Sequence, residues 1–203
     1  MKEKQKLICD TVLEMIASGM PEAEITIAEV ARRSSMGKGT VYEYFSSKRD
    51  MFLFAAQYFA QNAIEDMKAC YRGMSFRKEF GELIQCTRIW MNRCRSLFFF
   101  LFLGRYIVPP GMERSGNGNS QEECLFQGIH GEAVALMAKF LSLGQKEGLL
   151  RRNLEFYEVT FACSSITSII NLVDAGNEEL LHKEFTKEEL EEKAYEIFLR
   201  LLG

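Results

Sequence analysis

At 203 residues the chain has room for one medium domain, or for a small head joined to a larger body, and it buries a core without needing staples. Apolar residues make up 47% and charged residues 26%, which fits a globular protein rather than a disordered one. A net charge of −3 excludes a histone-like coat of basic residues and leaves open a reader of nucleic acid with only a locally basic surface.

Along the chain, Ile8, Val12, Met15 and Ile16 mark one face of a helix over 7–16 that Gly19-Met20-Pro21 ends. Ile27, Val30 and Ala31, then Val41 and Phe45, mark two short helices of about two turns each, split by the small residues Ser34 to Gly37. A long helix begins around Phe52 and runs to about Tyr71. A second runs from Phe76 to Cys94, and a Phe-rich segment from Ser96 to Val108 predicts a further helix. Pro109 through Ser120 has the composition of a loop. Ala133, Met137, Phe140 and Gly144 mark the next helix, stopped near Gly148. Phe156 to Ala175 is apolar on nearly every face, as a central helix or one in a subunit interface would be. Leu190, Ala194, Ile197, Phe198 and Leu201 stripe a last amphipathic helix, and the acidic run from Glu178 to Glu192 predicts a solvated face. No strand alternation is present. The expected fold is all-α, with about nine helices.

The six cysteines form no CxxC pair and His130 and His182 stand far apart, so no zinc site is expected, nor any cofactor. Apolar neighbours predict reduced, buried thiols of a cytoplasmic protein. Asp10 and Glu14 interrupt the only run that would serve as an export signal. The strongest apolar segment, Leu97 to Leu103, is far shorter than the roughly 20 residues of a membrane span.

Chemistry concentrates in 26–50. Thr26 with Glu29, and Ser47 with Asp50, have the spacing of capping boxes. Two helices this short must pack on their flanking neighbours, through Ile27, Val30, Ala31, Val41 and Phe45. Lys38, Gly39, Thr40, Tyr42 and Glu43 remain on the outer face, with Tyr44 toward one edge. Lysine neutralises a phosphate, and threonine and tyrosine hydroxyls donate to one. Glycine within a helix lets backbone approach DNA closely. Arg32, Arg33, Lys38, Lys48 and Arg49 against Glu29, Glu43 and Asp50 make this segment basic on an acidic protein. That fits a helix-turn-helix that enters the major groove.

The run Thr26, Val30-Ala31, Lys38-Gly39-Thr40-Val41-Tyr42-Glu43-Tyr44-Phe45 and Lys48 resembles the helix-turn-helix of the TetR (tetracycline-repressor) family of bacterial regulators. The resemblance implies that Thr26, Thr40, Tyr42, Tyr44 and Lys48 hold phosphates. Lys38 and Gly39 would lie at base edges, with Tyr42 able to touch a thymine methyl. Two positions depart from the family: Ser35 stands where glycine is usual, and Gly37 where serine or threonine is usual. Ser35 is counted with the DNA-binding set. Residues 1–48 would form the DNA-binding domain, and 49–203 a helical bundle that binds an effector and dimerises.

In that bundle, Trp90, Phe99, Phe102 and Tyr106 are candidates to line a pocket for a small apolar or aromatic effector, with Arg105 and His130 to orient it. Ile166, Ile170, Ile197 and Leu201 are candidates for the homodimer interface. A head this small reads few base pairs alone, so the expected partner is double-stranded DNA with a palindromic operator. The expected function is that of a repressor released from its operator by the effector, with no membrane partner. An enzyme is the first rival. It has no Ser/His/Asp, Cys/His or paired-carboxylate constellation to support it. A helical adaptor for protein alone would leave Lys38, Thr40 and Lys48 without a role.

Overall fold

A computed structural model describes residues 2–102, 120–174 and 186–203; of residues 99–102, 120–127, 130, 172, 173 and 187 it describes the backbone alone. These residues form nine helices and no strand. They are α1 (Glu3–Ala17), α2 (Ile27–Arg33), α3 (Lys38–Tyr42), α4 (Lys48–Cys70), α5 (Phe76–Arg93), α6 (Arg95–Phe102), α7 (Ser120–Lys146), α8 (Phe156–Asp174) and α9 (Lys187–Leu202). The expected helices are present, the one over Ser96–Val108 as far as Phe102, its remainder lying outside the described residues, and several are longer than their apolar stripes. α7 begins at Ser120, well before Ala133, and α1 begins at Glu3. Residues 103–119 lie outside the described set, including Arg105, Tyr106 and most of the expected Pro109–Ser120 loop.

The chain divides into two compact units, Met1–Ala63 with Arg93–Ile129, and Ile64–Asn92 with His130–Gly203. In the first unit, Ile8, Val12 and Met15 of α1 are buried with Ile25, Ile27, Val30, Ala31, Val41, Phe45, Met51 and Ala55. This apolar cluster holds α2 and α3, helices too short to persist alone. α3 is only five residues, shorter than its stripe suggests, because the chain tightens after Tyr42: the Tyr44 and Phe45 amides both donate to the Val41 carbonyl.

In the second unit, Phe76 and Phe80 of α5 meet Phe140 of α7 and Tyr195 and Phe198 of α9, ring centroids 4.7–6.3 Å apart. α8 packs along α9. α7 stops as expected: Gly148 adopts φ +72°, and the Leu149 amide donates back to the Gly144 carbonyl at 2.9 Å. This left-handed turn ties off the orphan carbonyls of the last turn. α9 opens on a complete capping box, Thr186 with Glu189, that the sequence reading did not single out.

Candidate nucleic-acid interface

The geometry of the head starts at the first helix of its pair. Thr26 caps α2, its hydroxyl accepting the Glu29 amide at 3.1 Å. The reciprocal half of the expected box does not form. The Glu29 carboxylate is occupied by Arg32 at 2.6 and 2.8 Å and Arg33 at 2.8 Å, and those hydrogen bonds, Arg32's first, hold its carboxyl at about 2. Arg32 and Arg33 therefore spend part of their charge on one acid within α2. The second expected box is likewise half formed. Ser47 Oγ accepts the Asp50 amide at 3.1 Å, but the Asp50 carboxylate turns to the Ser46 amide and hydroxyl at 2.8 and 3.0 Å.

The turn between α2 and α3 is closed by backbone. Ser34 is buried, its hydroxyl donating to the Val30 carbonyl at 2.8 Å. Ser35 takes φ +55°, and the Met36 amide reaches back to the Ala31 carbonyl at 2.8 Å. A glycine would adopt this left-handed conformation without strain. Ser35 occupies it with a side chain exposed to solvent. Gly37 then opens α3 with no side-chain cap.

α3 has two opposite faces. Val41 is fully buried, and Phe45 just after the helix is buried beside Phe54. Lys38, Gly39 and Tyr42 are exposed, Tyr42 to 57% of its surface, and Thr40 is half-buried. Tyr44 is half-buried against the head's core, with the Lys2 ammonium 5.8 Å from its ring. Lys48, the first residue of α4, donates to the Glu22 carbonyl at 2.6 Å and lies over the Phe52 ring. An ammonium has three donors, so this contact positions Lys48 and leaves capacity for another acceptor. Lys38, Gly39, Thr40 and Tyr42 thus fall on one short helix, Thr26 at the start of α2 and Lys48 at the start of α4.

The expected pocket set is not brought together among the described side chains. Trp90 alone belongs to them; it is buried, its indole N–H donating to Asp66 Oδ2 at 3.1 Å. The side chains of Phe99, Phe102 and His130, and Arg105 and Tyr106 entirely, lie outside the described residues.

The expected interface residues differ in how far the single chain already covers them. Ile170 is fully buried and Ile166 5% exposed within the single chain, while Ile197 and Leu201 are half-buried. Ile166 and Ile170 are thus packed in their own unit, while Ile197 and Leu201 keep part of their surface outside. The exposed side of α8 carries Phe156, Tyr157 and Phe161 instead, each more than 60% exposed, and Tyr157 and Phe161 form a shallow concavity with Glu158 and Leu201. Helical periodicity could not separate these sides, because α8 is apolar on both.

Among the described residues no group of three His, Cys, Asp or Glu side chains is placed to hold a metal ion, and no helix is long and apolar enough to cross a membrane.

Residues 23–54 match the family of bacterial regulatory proteins, tetR family. No curated protein matches the chain. Among solved structures, a TetR-family protein of Vibrio parahaemolyticus aligns with a TM-score of 0.70 at 13% identity, covering 98% of each chain. The fatty acid degradation regulator FadR of Bacillus halodurans aligns at 0.63 and 15%, covering 100% of this chain and 96% of its own. FadR of Bacillus subtilis, solved with stearoyl-CoA, aligns at 0.60 and 16%, covering 98% and 97%. At these identities the structures speak for the fold, while the head itself carries the family's sequence. Residues 23–54 thus carry the helix-turn-helix of the tetR family of bacterial regulatory proteins, and the whole chain takes the fold of the TetR-family structures to which it is similar.

Proposed function

We propose that this protein is a cytoplasmic homodimeric repressor that binds a palindromic operator and leaves it when the body takes up a small apolar or aromatic effector. The observation that carries the DNA-reading half is the opposed burial of α3, with Val41 sealed in the core and Lys38, Gly39 and Tyr42 on the outside. In this reading residues 1–48 are the DNA-binding domain and 49–203 bind effector and partner. Lys38 and Gly39 meet base edges, and Thr26, Thr40, Tyr42, Tyr44 and Lys48 meet phosphates. Ser35 shapes the turn that aims α3. The body's contribution is supported by its aromatic content and by the stearoyl-CoA bound to Bacillus subtilis FadR, which has the same fold. Two heads related by a two-fold axis read two half-sites, and effector binding shifts the population toward a spacing that no longer fits them.

Selection of genomic fragments by the purified protein, followed by footprinting, tests the reading; a protected site with two-fold symmetry is expected. Lys48→Ala then weakens specific and non-specific binding alike and lowers the salt slope of binding by about one unit. An unchanged slope with unchanged affinities removes Lys48 from the phosphate set. A salt-independent profile, or no selected fragment, favours the adaptor reading over a DNA reader.

A further inference from the structure

The first turn of α1 runs against the usual electrostatics of a helix. Its free amides carry a partial positive charge, which acidic side chains offset and lysines aggravate. Lys2, Lys4 and Lys6 stand at that end, with Glu3 as the first turn's carboxylate. Lys2 holds the N-cap position, where it supplies no side-chain oxygen to accept an amide. All three lysines are exposed, and none is paired with a carboxylate among the described residues. Neither helix formation nor an ion pair explains this placement, but the neighbour of Lys2 does. α1 and α3 belong to the same compact unit, and the Lys2 ammonium lies 5.8 Å from the centroid of the Tyr44 ring. At that range the face of an aromatic ring attracts a cation. Tyr44 is itself fixed: it packs against the head's core, and its amide donates to the Val41 carbonyl at 3.1 Å. It stands two residues beyond Tyr42, the exposed last residue of α3. The start of α1 therefore abuts the C-terminal edge of the helix whose outer face carries Lys38, Gly39 and Tyr42. A helix seated in the major groove has a phosphate backbone along each side, so side chains at its edges meet phosphates rather than bases.

We propose that Lys2, held on the Tyr44 ring, binds a phosphate of the DNA backbone and extends the interface of α3 onto the start of α1. The inference rests on the DNA-binding reading above. A ring face accepts no conventional hydrogen bond, so Tyr44 restricts where Lys2 points and leaves the ammonium's three N–H groups to donate to phosphate oxygens. Lys6, one turn on along α1 with its amide donating to the Lys2 carbonyl at 3.0 Å, adds a second positive charge beside it. The contact is one of charge and position. It adds affinity for any duplex and no choice among bases.

The test titrates the full-length protein, over a range of salt, against a genomic fragment selected by the wild type and against a random-sequence duplex. Lys2→Ala should lower the salt slope by about 0.9 on both, which makes binding about eightfold weaker at about 0.1 M salt, the gap closing toward about 1 M. The melt of the free protein should not change, since the side chain is exposed. Lys2→Arg, which keeps the charge and the ring contact, should bind like the wild type. In a Tyr44→Phe background, which keeps the ring, Lys2→Ala should cost the same factor. In a Tyr44→Leu background, which has no ring to hold the ammonium, it should cost about twofold or less. An unchanged slope for Lys2→Ala overturns the proposal, as does a loss confined to the selected fragment. Equal costs in the Tyr44→Leu and wild-type backgrounds overturn the part given to Tyr44. A wild-type protein that selects no fragment overturns the DNA-binding reading instead, a result distinguishable from the others.

Discussion

Ser35 and Gly37 show how a short motif tolerates departures at single residues. Ser35 holds φ +55°, a conformation that costs an L side chain about 1–2 kcal/mol relative to glycine. Gly37 starts α3 without the side-chain oxygen that would accept an orphan amide of its first turn. Exchanging the two identities tests whether the motif is suboptimal. Ser35→Gly should raise stability by about 0.5–1 kcal/mol, the relieved strain being partly offset by the extra freedom of the unfolded chain. Gly37→Ser should add a few tenths of a kcal/mol, since a Cβ there meets only Thr40 Oγ1 at 4.0 Å. Urea midpoints of the two variants and the double variant check this. A midpoint that falls on Ser35→Gly would mean that the serine side chain makes a contact worth more than its strain.

At the scale of elements, legibility depended on whether polar and apolar residues alternate around the helix. In α1 to α3 they do, so Ile8, Val12, Ile27, Val30, Val41 and Phe45 were readable as core, and the outer face of α3 followed by subtraction. α8 is apolar on nearly every face, so nothing in its period separated Ile170, which is buried, from Phe161, which is not. Interactions between distant carboxylates and backbone were not legible at all. Glu79 has the composition of a surface residue, yet it is 2% exposed and accepts the amides of Arg72 and Met74. Glu147, just past the end of α7, likewise caps the Phe76 amide from 71 residues away. Only the folded chain brings such partners together. Glu79→Ala should leave two amides of the α4–α5 turn without an acceptor and cost about 2–4 kcal/mol. Glu79→Gln, which keeps an accepting oxygen, should recover part of that loss. Equal thermal midpoints for Glu79→Ala and the wild type would show that water satisfies the amides as well as the carboxylate does.

For the whole molecule, the decisive question is which surface pairs two copies. Three large side chains on one helix, Phe156, Tyr157 and Phe161, are each more than 60% exposed in the single chain, and Leu201 of α9 lies beside them. If two heads meet a symmetric site, as proposed above, a contiguous apolar patch is best explained by a second copy covering it. Phe161→Glu and Ile170→Glu separate this from packing within the chain. If Phe161 meets the partner, Phe161→Glu places a charge in the interface alone. The protein should stay helical, sediment as a monomer at concentrations where the wild type is a dimer, and lose most of its affinity for a two-half-site operator. Ile170→Glu buries an unpaired charge in the chain's own core, so it should cost several kcal/mol and lower the helical melt whatever the oligomeric state. Sedimentation velocity and circular dichroism on the same samples decide. A folded dimer with Phe161→Glu removes this face of α8 from the interface. A folded monomer with Ile170→Glu would restore the inner face to it.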